Sequence, residues 1–195
     1  LANLISFSND MTILAEKMGS IDIKKSFETI KFDKRWYGSP AEMSKYLHPG
    51  LGYGGYCLPK DVEAMNFVAK KINKNNILNV INKINYKIFN YQINKIIKKS
   101  NNKRIFVLGL SFKPFSDDVR SSKSIQLIKY LKKKKIKKIF ATDPRSIEKS
   151  KKELKGIVFL KKPKILKNTI YVLATAWPEY TKFLYKLKKE NIIDL

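Results

Sequence analysis

RIFVLGLSF (104–112), KKIFATD (137–143) and TIYVLAT (169–175) are short runs of β-branched, aromatic and aliphatic residues, and helical patterns at 122–135, 146–154 and 178–189 fall between and after them. Strands that alternate with helices predict βαβ units and a parallel sheet covered on both faces. Upstream of the polar junction 98–103 the period is helical instead. Leu4, Phe7, Met11, Leu14, Ala15 and Met18 recur at helical spacing before Gly19, a residue suited to a C-cap. A second helix is predicted around Asp22 to Ile30, a third after Pro59, and a long one over 76–99 with Ile77, Ile81, Ile84, Ile88 and Ile96 on one stripe. The fold class expected is α/β: a helical domain over 1–100 with a long connecting helix, then a Rossmann-like parallel-sheet domain over 101–195. The first helix has no N-cap before it, which reads as a chain that opens inside a helix.

The chain has 195 residues, 44% apolar and 12% aromatic, enough to bury a core. No apolar stretch reaches the ~20 residues that span a bilayer, so no membrane partner is expected. A single Cys cannot form an internal disulfide, and LANLISFSND lacks the basic start and apolar core of a secretory signal. Both point to a cytoplasmic location. The net charge of +25 invites a nucleic-acid reading, but only Arg35, Arg104, Arg120 and Arg145 are arginines, and Lys, Asn and Ile crowd the whole sequence. Arg is the fork-shaped reader of phosphate and base edges, so the charge reads as a solvated surface and no nucleic-acid partner is expected. No metal site is expected either.

PGLGYGGYCLPKD (49–61) gathers four glycines, two prolines, two tyrosines and the sole Cys. Closely spaced glycines let backbone amides converge on an anion. Pro59 suits a first helical turn, which would place Cys57 just before the helix, where the dipole and Lys60 both favour thiolate. Asp61 would lie in that first turn, in reach of a water or a proton beside Cys57.

GYGGYCLPKD (52–61) resembles, almost letter for letter, the catalytic Cys motif of the nucleotide-sugar 6-dehydrogenases, the UDP-glucose/GDP-mannose dehydrogenase family. GLSFKPFSDDVRSS (109–122) is similar to that family's Phe-Lys…Asp-Asp-x-Arg segment, and ATDP (141–144) and ATAWPEY (174–180) look like its later strand-end signatures. The resemblance covers nearly the whole chain and corresponds to the family's central and C-terminal domains. It implies NAD-dependent oxidation of a UDP-sugar, UDP-glucose to UDP-glucuronate foremost, in two steps through a thiohemiacetal and a thioester on Cys57. GDP-mannose and UDP-N-acetyl-hexosamine oxidation, or a non-catalytic nucleotide-sugar-binding module, are the alternatives.

By the same resemblance Asp61 assists the catalytic water, and Lys60 and Arg120 face the cofactor. Tyr46, Leu47, Gly52, Tyr53 and Gly54 cradle the nucleotide-sugar, Phe112 and Lys113 contact the nucleotide and its phosphates, and Arg35 enters a neighbouring subunit's site. A homodimer through the central helices is implied. The cofactor-binding fingerprint, a G-x-G-x-x-G turn joining a strand to a helix, is not read in the chain, which therefore looks like part of a larger enzyme, inactive alone.

Overall fold

The computed structural model describes residues 1–33, 36, 46–72, 77–134, 136 and 138–195. Arg35 and most of the segment between it and Tyr46 lie outside the described residues. Two compact units emerge: Leu1–Tyr53 with Lys60–Phe89, and Gly54–Pro59 with Asn90–Leu195.

The first unit holds α1 (Ala2–Met18), α2 (Ile23–Glu28), most of α3 (Cys57–Lys71) and the first half of α4 (Ile77–Ser100). Gly19 closes α1 as expected, its N–H donating to the Ala15 carbonyl at 3.0 Å. The buried side of α1 differs from the apolar stripe. Phe7, Leu14 and Met18 are at least half exposed, whereas Ser6, Ser8, Asn9, Thr12 and Ile13 are buried. Ser8, Thr12 and the Asn9 carbonyl oxygen are hydrogen-bonded there, while Ser6 Oγ and Asn9 Nδ2 have no partner among the described residues. Ser8 and Thr12 donate to the carbonyls one turn back at 3.0 and 2.8 Å, and Asn9 Oδ1 accepts the Gly50 N–H at 2.8 Å. Periodicity alone missed this because a polar face that holds a loop competes with an apolar one for the interior. On α4 the stripe fares better: Ile81, Ile88 and Ile96 are buried, Ile77 is exposed.

Asn85 fixes the loop ahead of α3. Its Oδ1 accepts the Tyr53 N–H at 2.8 Å and its Nδ2 donates to the Tyr53 carbonyl at 3.2 Å, so one side chain satisfies both backbone groups of a buried residue. The Tyr53 hydroxyl donates to Asn82 Oδ1 at 2.6 Å, and burial pushes its pKa up to about 12.

The second unit is a five-stranded parallel sheet, β1 (Arg104–Leu108), β2 (Ile139–Thr142), β3 (Val158–Phe159), β4 (Thr169–Leu173) and β5 (Ile192–Asp194), in the order β3-β2-β1-β4-β5. All five residues of β4 are buried, as expected of a strand covered on both faces. Phe106, Leu108, Tyr171, Leu173, Trp177 and Tyr180 form one core cluster. Beside the second half of α4, the sheet is accompanied by α5 (Lys123–Lys133), α6 (Ile147–Glu153) and the short α7 (Thr181–Leu184). The helix expected over 178–189 contracts to a 3₁₀ turn at Pro178–Tyr180 followed by α7.

Strand order reverses between β1 and β4, and there the loops that leave both strands meet. Gly109 has φ +90, and a Cβ on it would lie 2.5 Å from the Thr175 carbonyl oxygen, so only glycine fits. Asp143, 2% exposed at the end of β2, ties these loops together. Its Oδ2 accepts the Leu110 and Ser111 N–H groups at 2.7 and 3.0 Å and the Trp177 indole N–H at 3.2 Å, and its Oδ1 accepts those of Arg145 and Ser146 at 2.9 and 2.7 Å. Burial pushes this carboxyl up, but the four backbone donors outweigh it and hold it below the usual carboxylate range.

Two stability measurements check these anchors. Asp143→Asn should cost about 2–4 kcal/mol in urea unfolding at pH 7, the scale of lost charge-assisted bonds in a buried site. Because the folded carboxyl titrates below its unfolded value of about 3.9, its contribution is present above about pH 4 and fades as pH falls through the depressed value, so the gap between wild type and variant should narrow there. Asn85→Ala should cost about 1–3 kcal/mol by orphaning the Tyr53 backbone. An unchanged urea midpoint in either variant contradicts the corresponding anchor.

Candidate functional site

Cys57 is exposed and opens α3, so the helix starts two residues earlier than Pro59 suggested, and Pro59 still falls in the first turn, where no N–H is needed. The six residues Gly54–Pro59 belong to the sheet-bearing unit, and specific contacts bring them beside the loop after β1. Gly55, at φ +81, lies flat against Phe112: a Cβ there would sit 2.9 Å from the ring. At Gly54 a Cβ would come within 2.5 Å of the Ser121 carbonyl oxygen. The Arg120 guanidinium stands 4.9 Å from the centre of the Tyr56 ring, next in sequence to the thiol.

Arg120 is itself oriented by Asp118. Its Nη2 and Nε donate to the carboxylate at 2.7 and 3.0 Å, and its backbone N–H donates at 2.9 Å. That bidentate bond holds the Asp118 carboxyl below the usual range and raises Arg120, which the neighbouring Tyr56 and Cys57 reinforce. The Arg120 side chain remains 66% exposed, so it can still meet a ligand. Lys113 is exposed, its ammonium 5.4 Å from the half-buried Phe112 ring. Phe112, Lys113 and Arg120 all follow β1 at the carboxyl end of the sheet, at the point of strand-order reversal where open parallel sheets hold their ligands.

In the helical unit Leu47 and Tyr53 are buried, Tyr46 and Gly52 are half-buried, and Lys60 pairs with Asp61 on exposed positions of α3. Gly52 abuts Asn85, so the cradle residues are backed by the α4 asparagines. Asp61 follows Cys57 by one helical turn. Arg35 lies outside the described residues. Among the described residues no group of three His, Cys, Asp or Glu side chains could hold a metal ion.

Sequence reasoning passed over several residues that build this region. Asp118 positions Arg120, Asn82 and Asn85 position Tyr53, and Ser122 caps α5 while its hydroxyl donates to the Leu110 carbonyl at 2.7 Å. Lys123, the first residue of α5, has a pKa lowered to about 8 by burial. A signal for it existed: a lysine in a first helical turn sits where the dipole disfavours a cation. Gly50, Gly52 and Gly55 do fall at G-x-G-x-x-G spacing, and a helix follows, but 47–50 is irregular chain instead of a strand, so this is no dinucleotide turn. The chemistry present, an exposed guanidinium and ammonium groups beside a Gly-rich turn, fits the phosphates at one edge of a dinucleotide.

Comparison with known proteins places this geometry in a family. Residues 1–87 match the central domain of the UDP-glucose/GDP-mannose dehydrogenase family, and residues 106–195 match its UDP binding domain. A UDP-glucose 6-dehydrogenase of Rickettsia bellii is 33% identical over 206 residues, covering 99% of this chain and 46% of the relative. The chain thus spans about half the length of the curated relatives it matches. A UDP-glucose dehydrogenase from Pyrobaculum islandicum superposes with a TM-score of 0.79 at 28% identity, over 99% of this chain and 44% of that one. A GDP-mannose dehydrogenase from Pseudomonas aeruginosa shares the fold at TM-score 0.68 and 22% identity, over 100% of this chain and 45% of that one. With both domain models matched in order around an exposed Cys at a helix start, the chain belongs to the UDP-glucose/GDP-mannose dehydrogenase family.

Proposed function

We propose that this chain supplies the thiol and the nucleotide-sugar grip of an NAD-dependent dehydrogenase that oxidises UDP-glucose to UDP-glucuronate. The observation that carries the reading is the packing of the Cys57 turn against Phe112 and beside Arg120, residues more than fifty positions away in sequence. A non-catalytic binding module has no use for an exposed thiol at that point. The relatives named UDP-glucose 6-dehydrogenase favour UDP-glucose over other nucleotide-sugars.

The chemistry that NAD would supply when bound is hydride acceptance, one hydride to each of two NAD molecules bound in turn. Cys57 Sγ bonds to C6 of the sugar once that carbon is an aldehyde, and holds it as a thiohemiacetal and then, after the second hydride leaves, as a thioester. Water cleaves the S–C6 bond, which frees the thiol and releases the carboxylate. Asp61, one turn along α3, orients that water or takes its proton. Lys60 and Arg120 would face the cofactor. Phe112 and Lys113 meet the nucleotide, and Tyr46, Leu47, Gly52, Tyr53 and Gly54 form the cradle, with Arg35 reaching a neighbouring subunit's site. Domains at 1–100 and 101–195 divide this labour. The apolar side chains left exposed on α1 and α3, among them Phe7, Leu14, Met65 and Phe67, give the helical domain a face for a second copy of the enzyme. No helix among the described residues is long and apolar enough to cross a membrane.

The test is Cys57→Ala in the enzyme that includes the cofactor-binding half. Uronate formation should fall by roughly a thousandfold or more while UDP-glucose affinity stays within a few fold, because the thiol is a covalent participant and not a binding group. Undiminished acid production would refute the assignment.

A further inference from the structure

A second concave site lies in the sheet-bearing unit, lined by Thr142 and Pro144 at the carboxyl end of β2 and by the chain after β3 and after β4. It is a cavity of about 500 Å³, within the ~300–1,000 Å³ typical of small-molecule sites. Two segments wall it: the β3–β4 connection brings Lys161 and Lys162, and the chain at and after α7 brings Lys182 and Lys186. Between them lie apolar surfaces, chiefly the half-buried ring of Phe183, which is held edge-on to Tyr171 with centroids 5.6 Å apart. The buried Tyr180 is fixed in the wall by its hydroxyl, which donates to the Thr142 carbonyl at 3.1 Å. None of these residues belongs to the set assigned to the nucleotide-sugar or its oxidation.

The four lysines are the informative part. Elsewhere in this unit lysines near carboxylates pair with them: Lys129 with Glu153, Lys149 with Asp117 and Lys151 with Glu148. Around the cavity Lys161, Lys162, Lys182 and Lys186 form no ion pair with any described residue, although Glu179 also lines it. Four cations gathered at the rim of one concavity repel one another, and an anion seated there would relieve that repulsion in a site whose apolar walls weaken screening. An anion alone would leave the Phe183 surface unused. We propose that this cavity is a second ligand site, separate from the nucleotide-sugar site, for a nucleoside polyphosphate: phosphates on the lysines, ring on Phe183, ribose hydroxyls towards Glu179.

The experiment is equilibrium dialysis of the 195-residue chain against ATP, inorganic tripolyphosphate and adenosine at about 0.15 M salt, where surface charge is screened beyond ~8 Å. ATP should saturate one site per chain more tightly than tripolyphosphate, with adenosine weaker than either. Lys162→Glu with Lys182→Glu should weaken ATP at least about tenfold, and the milder pair Lys162→Ala with Lys182→Ala should weaken it in the same direction with an unchanged circular dichroism spectrum. Lys17→Glu with Lys70→Glu, an equal change of charge in the helical unit, and Lys113→Ala should each leave ATP affinity within about twofold. Equal loss in the Lys17/Lys70 pair would reduce the binding to net charge and overturn the site. Loss in Lys113→Ala would assign the ATP to the nucleotide-sugar site and overturn it equally, and tripolyphosphate matching ATP would remove the role of Phe183.

Discussion

A single buried carboxylate organises the carboxyl edge of the sheet. Asp143 directly follows β2, yet most of its hydrogen bonds go to other segments: the backbone after β1, the indole after β4 and the start of α6. A charge at 2% exposure is costly unless it is fully hydrogen-bonded, and here backbone N–H groups supply the bonds. The loop that carries Phe112, Lys113 and Arg120 therefore leaves β1 in one conformation. Gly109 adds a steric constraint to the electrostatic one, since the β1 and β4 loops approach too closely for any side chain at that position. The acid dependence of the fold and the placement of the ligand-facing loop have the same origin.

The Cys57 turn is set by contacts of a different kind. Among the described residues no side chain hydrogen-bonds the thiol, which is free and exposed. The turn is held by close approach, with Gly55 against the Phe112 ring and Gly54 against the Ser121 carbonyl, and by Arg120 over Tyr56. Upstream, the Tyr53 backbone is locked by Asn85 and the Gly50 N–H by Asn9. Glycines thus let the backbone come close at the points of contact, while amide side chains on α1 and α4 hold the stretches between them. A reactive group on a preorganised, exposed turn costs nothing to orient when substrate arrives.

Much of this was legible in the sequence. The strand runs at 104, 139 and 169 were visible because buried parallel strands are continuously apolar, and the Cys motif because glycine, proline and a lone Cys rarely crowd together. What escaped were the two short edge strands, β3 and β5, and most of the polar contacts. The buried side of α1 is made of Ser6, Ser8, Asn9 and Thr12, which a search for apolar periodicity reads as solvent-facing. Asn85 and Asp118 act on residues 32 and 2 positions away through hydrogen bonds that spacing does not announce. Asp143 stood inside a motif, ATDP, yet its bonds to Leu110 and Trp177 became visible only once the strands were assembled. Helix boundaries shifted by one or two residues at Cys57, and the 178–189 helix shrank to a single turn, because the apolar residues there pack on the core cluster instead of lining one helical face.

On the proposed function, the loop that Asp143 holds is enough for these 195 residues to grip a nucleotide-sugar on their own. Calorimetric titration of the 195-residue chain with UDP-glucose, beside the same titration of Lys113→Ala, tests it most directly. Binding should fall at roughly 0.1–1 mM, with a loss of about tenfold, near 1.4 kcal/mol, on removing the Lys113 ammonium. UDP-glucose affinity that Lys113→Ala leaves unchanged would contradict it.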